Sequence, residues 1–99
     1  MQRGRRRRGR YGRLPSPVYI GHTPVSKHFV PYPNLGKESI ILEPAEIEVL
    51  RLINLEELTQ EETGNKMGVS RGTIWRLLNS ARKKVTKAIV EGHVLILNE

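Results

Sequence analysis

Four polar side chains near the start of one cationic segment define the chemistry open to this sequence: Arg71, Thr73, Arg76 and Asn79. An arginine fork matches the edge of guanine and an asparagine amide matches adenine, so the set fits the reading of base edges in a DNA groove. Around them stand Ser70, Arg82, Lys83, Lys84 and Lys87, whose donors suit phosphate oxygens rather than bases. Ser70 is first a helix cap, with a helix N-terminus that could also approach a phosphate. From Thr63 to Val90 there are seven bases and no acid, whereas Glu38 to Glu62 carries eight acids and one base, Arg51. Lysine and arginine at phosphates supply most non-specific affinity for nucleic acid. The alternative is a solvated basic face balanced by the acidic stretch of the same chain.

Those side chains need a rigid element to present them. Ile74, Leu77, Leu78, Ala81, Val85, Ala88 and Ile89 recur at helical spacing, which predicts an amphipathic helix capped by Ser70 and ended by Gly92. At about 100° per residue, Gly72, Arg76, Asn79 and Lys83 project opposite Ile74. Trp75 falls on the flank, where packing over the core edge suits it better than contact with a base. Upstream, Thr59 and Glu62 form a capping box for a helix that runs to about Met67 and stops at Gly68. Two helices joined by a short glycine-containing turn have the geometry of a helix-turn-helix. Gly64 lies four residues before the turn glycine; it costs about 1 kcal/mol of helix propensity relative to alanine, and close crossing of the two helices is a compensating reason. Met67 and Val69 flank the turn, and Ile74 and Leu77 face back from the next helix. Thr63 departs from the pattern, since such motifs bury an aliphatic residue there. An ordinary helical hairpin is the competing structure.

A further helix from about Pro44 to Leu55 places Ile47, Leu50 and Ile53 on one stripe, widened by Val49 and Leu52, with Pro44 in its first turn. Ser39–Leu42 and His93–Leu97 fit short strands. The nearly all-apolar end of the second suits burial on both faces, paired with the first strand of its own chain or with a second copy. The expected fold is mainly α: a three-helix helix-turn-helix domain with short flanking strands and an extended basic N-terminal arm.

Composition divides the chain at 1–13, 14–37 and 38–99. The formal charge is +7, yet residues 1–13 hold seven arginines and no acid, so residues 14–99 balance. Nothing in that first stretch can offset the cost of ordering it, which predicts a disordered tail. Its Arg5, Arg6, Arg7 and Arg8 are candidate phosphate contacts, adding non-specific affinity or lying along a groove; a merely solubilising end is the alternative. Residues 14–37 contain five prolines and read as an extended arm, with Val18, Tyr19, Ile20, Phe29, Val30 and Tyr32 available to dock on the body at 38–99.

Several classes of function drop out. Without cysteine there is no disulfide and no thiolate metal site, and His22, His28 and His93 lack ligand spacing, so neither metal nor cofactor is expected. No spacing assembles a nucleophile with a base and no glycine-rich phosphate loop follows a strand, which argues against an enzyme. No apolar run reaches membrane-span length and no signal-peptide core follows the arginines, so a cytoplasmic, nucleoid-associated chain with no membrane partner is expected. A body this small favours pairing as a homodimer, as helix-turn-helix proteins often do across two half-sites.

Residues 55–92 resemble region four of bacterial sigma factors. Over most of residues 29–99 the chain is also similar to a family of small uncharacterised archaeal and bacterial proteins known only as predicted DNA-binding. Phe29-Val30-Pro31, Glu46 through Leu52, Gln60-Glu61-Glu62, Met67 through Arg71, Ser80 through Lys84 and Glu91-Gly92 carry that likeness. A cysteine frequent in the family's arm is missing and the arginine run is heavier. The resemblance implies a DNA-binding fold and transcriptional regulation, with double-stranded DNA as partner and RNA polymerase as a further one. Competing readings are an RNA or ribonucleoprotein binder using the arginine-rich tail, and a module that contacts polymerase.

Overall fold

Caps and left-handed glycines delimit the helices of the computed structural model, which describes residues 17–98. Helix α1, Pro44–Leu50, carries proline in its first turn and continues directly into a π-helical turn, Arg51–Leu55. Helix α2, Gln60–Met67, opens on Thr59: its hydroxyl accepts from the Glu62 N–H at 3.0 Å while the Thr59 N–H donates to the Glu62 carboxylate at 2.8 Å. Gly68 closes α2 at φ 74°, where a side chain would be strained. Helix α3, Arg71–Glu91, starts at Ser70, whose hydroxyl accepts from the Thr73 N–H, and ends at Gly92.

Three short strands complete the fold: β1, His28–Phe29; β2, Ile40–Leu42; and β3, Leu95–Leu97. Strand β3 is central, antiparallel to β1 and parallel to β2 with Ile40 opposite Leu95. The pairing left open by the sequence is thus made within one chain. Parallel neighbours need a long crossover, and all three helices lie in it. The described residues are about half helical. No helix among them is long and apolar enough to cross a membrane.

Two buried clusters stack along α3. Val49, Leu52, Met67, Ile74 and Leu78 join α1, the π turn, α2 and the first half of α3. Leu42, Ala81, Ala88 and Leu95 join its second half to the sheet. The buried face of α1 is rotated from the expected one. Val49 and Leu52 are fully inside with Glu46 and Glu48, while Ile47, Leu50 and Ile53 are only half-buried. The reason is electrostatic pairing: both carboxylates find partners inside, so the face they occupy can be the buried one. At the far end, Ile89 keeps the apolar period but is 76 % exposed. The helix there outruns the elements that pack against it.

Candidate nucleic-acid interface

The crossing of α2 and α3 depends on the absence of one side chain. A Cβ on Gly64 would meet the Val69 carbonyl oxygen at 2.8 Å and Ile74 Cγ1 at 3.6 Å, so the backbones approach closer than alanine permits. Gly68 and Val69 both return their N–H groups to the Gly64 carbonyl, at 2.8 and 3.0 Å. This closes the turn and fixes the angle at which α3 departs. Met67 and Ile74 are fully buried on the two sides of the turn, with Val69 and Leu77 packed beside them. Thr63 is fully buried too, and its hydroxyl has no hydrogen-bond partner.

The opposite side of α3 is open. Arg71, Gly72, Arg76, Asn79, Arg82 and Lys83 are all exposed, and Thr73 is half-buried. At the helix start, Ser70 Oγ and Thr73 Oγ1 lie 3.0 Å apart, and the Arg76 guanidinium donates to Thr73 Oγ1 at 3.2 Å. Arg76 therefore folds back over the first turn, beside Gly72. Ser70, Thr73 and Arg76 form one hydrogen-bonded group, and Asn79 and Lys83 follow along the same face. Trp75, expected to pack over the core edge, is 57 % exposed on the flank.

The later basic residues separate. Arg82 remains exposed and donates to Asn54 Oδ1 at 3.3 Å. Lys87 reaches Glu91 at 3.3 Å, and the Glu91 carboxyl is held below its ordinary range by a hydrogen bond from His93 and then by Lys87. Lys84, expected at a phosphate, is turned inward. Its ammonium donates to Glu46 Oε1 and to the Ile41 carbonyl, each at 2.8 Å. Glu46 also accepts from the Ser80 hydroxyl and from the Glu43 N–H. An ammonium spent on a buried carboxylate is not free for DNA, and periodicity could not reveal that because the partner lies 38 residues away. Arg5, Arg6, Arg7 and Arg8 lie outside the described residues.

Where the arm docks was not marked in the sequence. The extended arm reaches the α2–α3 turn: the Tyr19 N–H donates to the Met67 carbonyl at 3.0 Å, and the Tyr19 ring lies against Gly68. The Gly21 N–H donates to Glu48 Oε2 at 2.9 Å, while Arg51 Nε and Nη2 bind the same carboxylate at 3.0 and 2.8 Å. The Arg51 guanidinium, with Gly21 assisting, holds the Glu48 carboxyl below the usual carboxylate range despite the opposing effect of burial. Tyr19 stood among the arm's dockable residues, but no local pattern marked its target. Among the described residues, no three of His, Asp and Glu gather where they could hold a metal ion.

Comparison with known proteins places the whole chain in one family. The model described as "Protein of unknown function DUF134" matches residues 1–99. A UPF0251 protein of Pyrococcus furiosus is 51 % identical over 98 residues, covering 96 % of this chain and 83 % of the relative. A UPF0251 protein of Archaeoglobus fulgidus is 40 % identical over 88 residues, covering 89 % and 84 %. A bacterial relative, the UPF0251 protein of Vibrio parahaemolyticus, is 45 % identical over 67 residues, or 68 % of each chain. No solved structure matches. On the full-length family match and the identity to these archaeal and bacterial relatives, the chain belongs to the prokaryotic DUF134/UPF0251 family.

Proposed function

We propose that this protein binds double-stranded DNA sequence-specifically, with α2 and α3 acting as a sigma region-four-like helix-turn-helix, and that it serves as a transcriptional regulator. One observation carries the reading: the side of α3 facing away from the core is open from its first turn and presents Arg76, Asn79 and Lys83 without an acid among them. A helix held this way, capped by Ser70 and braced at Gly64, enters a major groove by its N-terminal half. Arg76 and Asn79 then read base edges, with Arg71 and Thr73 at the groove floor's margin. Ser70, Arg82, Lys83 and Lys87 meet the phosphates, which fix register without reading sequence. Lys84 has no part in the contact; it orients α3 through Glu46.

Selection of bound duplexes from a random pool, followed by affinity measurements on single-base variants, tests this. Arg76→Ala and Asn79→Ala each lose discrimination at one base position, by about 1–3 kcal/mol. Lys83→Ala weakens all duplexes alike and lowers the salt slope by about one. Equal losses on selected and random duplexes for all three variants would exclude base reading by α3.

A further inference from the structure

The arm leaves a hollow where it crosses α1. It is tied down at Gly21, through Glu48, and again at Lys27, whose carbonyl accepts from the Leu97 N–H. Between those ties His22 and Pro24 border a cleft of about 450 Å³. Leu42 and Leu95, both buried, line its depth, half-buried Leu50 and Val85 its sides, and Phe29 and Leu55 its mouth. Small-molecule sites occupy about 300–1,000 Å³ and are apolar hollows with a few placed polar groups. Phe29 is 56 % and Leu55 77 % exposed, so the apolar lining runs from the core out to solvent, as binding surfaces do.

Its hydrogen-bond donors gather on one wall, the π-helical turn Arg51–Leu55; such turns are rare and frequent at functional sites. Arg51 and Asn54 both line the cleft, and no acid does among the described residues. Arg51 spends Nε and Nη2 on its clamp with Glu48, which leaves Nη1. The neighbour of Nη1, Glu56 Oε2, is 3.7 Å away, beyond hydrogen-bond length. Asn54 Oδ1 accepts from Arg82 of α3, which leaves the Nδ2 protons as donors. An apolar chamber with two sets of donors on one wall and no carboxylate of its own matches a molecule with an apolar body and an anionic oxygen head. Glu56 is exposed and loosely held, and an exposed ion pair contributes little, so such a head displaces it readily.

We propose that this cleft binds a small, mostly apolar carboxylic acid, with its body on Leu50, Leu55 and Val85 and its carboxylate on Arg51 Nη1 and Asn54 Nδ2 in place of Glu56. The site does not depend on the reading of α3 as a DNA-binding helix. Val85 belongs to α3 and Asn54 is bonded to it, so an occupant touches that helix directly.

Titration of the full-length protein with octanoate and, separately, with 4-phenylbutanoate, followed by methyl NMR, tests this without DNA. Saturable shifts at Leu50, Leu55 and Val85 are expected, and the tighter acid shows whether the body is a chain or a ring. Octanol, which has the chain without the charge, should bind about tenfold more weakly than octanoate. Two exposed substitutions should move the affinity for the acids in opposite directions while leaving the fold in place. Asn54→Asp sets an acid against the head and should weaken binding about tenfold. Glu56→Gln removes the competing carboxylate and should tighten it about two- to fivefold. Arg51 is kept because it clamps the buried Glu48. No saturable shift with either acid would overturn the site. Octanol binding as tightly as octanoate, or both substitutions acting in the same direction, would overturn the placement of the carboxylate. Shifts at Leu55 and Val85 produced by raising the protein concentration alone would give the cleft to a second copy of the chain and overturn the proposal.

Discussion

Helix α3 is held along two seams of opposite character. Against α1 it is joined by a buried polar set, with Glu46 accepting from Lys84 and Ser80 and with Lys84 also bonded to the Ile41 carbonyl of β2. Against α2 it is joined by the near-contact of Gly64 with Val69 and by Met67 on Ile74, and the buried Thr63 hydroxyl beside this seam makes no bond. Directional bonds fix how α3 is rolled about its own axis, because each bond has a required angle. Close packing at Gly64 fixes how near the two helices lie. The first seam therefore reinforces the roll that the apolar face of α3 already sets, and the second decides how far its first turns stand clear.

Breaking the polar seam should have the largest effect. Lys84→Ala leaves Glu46, 2 % exposed, without its cation and should cost on the order of 3 kcal/mol, read as a lower denaturant midpoint. Lys83→Ala, one residue earlier and facing outward, should stay within about 0.5 kcal/mol of wild type. The close seam comes next. Gly64→Ala gains about 1 kcal/mol of helix propensity, yet its Cβ meets a backbone oxygen that cannot yield as a side chain would. Overpacking penalties run to about 1–3 kcal/mol, so a net loss of about 1 kcal/mol is expected in the same unfolding measurement. A gain in midpoint would mean the helices are free to separate.

The same seam can be improved. Thr63→Val removes an unsatisfied buried hydroxyl at nearly constant shape and should stabilise by about 1 kcal/mol. A loss would show that the hydroxyl is bonded in solution. The smallest effect concerns the arm. Because the folded-state carboxyl of Glu48 is lowered by Arg51, its contribution is complete above the ordinary glutamate range, about pH 4–5. It is lost as pH falls through the depressed value. Glu48→Gln should therefore show a flatter fall in stability on acidification than wild type, and superimposable acid limbs would remove the clamp from the account.

Helix ends were legible in the sequence because their signals are local. Thr59 with Glu62, Ser70, Gly68 and Gly92 each act within a few residues, and all four stand where their patterns put them. Long-range pairing was not legible. Glu46 and Glu48 look like an exposed acidic face until Lys84, Ser80 and Gly21 are brought to them, and this shifted the predicted stripe of α1. For the same reason Lys84, read as a phosphate contact, stands bonded to Glu46 instead. Ile89 shows the converse, a periodicity that continues past the last element able to cover it. Strand β1 rests on main-chain bonds to β3, such as that from the Leu97 N–H to the Lys27 carbonyl at 2.9 Å, and its exposed His28 and Phe29 give no alternating pattern. The outward face of α3 was readable because exposure there follows from helical phase alone.

Guanine methylation interference on a selected duplex tests the central claim most directly, since N7 lies in the major groove. The account predicts that methylating one or two guanines within the footprint blocks the wild-type protein, and that Arg76→Ala is indifferent to at least one of them. Binding by the wild-type protein that tolerates N7 methylation at every guanine of the footprint would contradict entry of α3 into that groove.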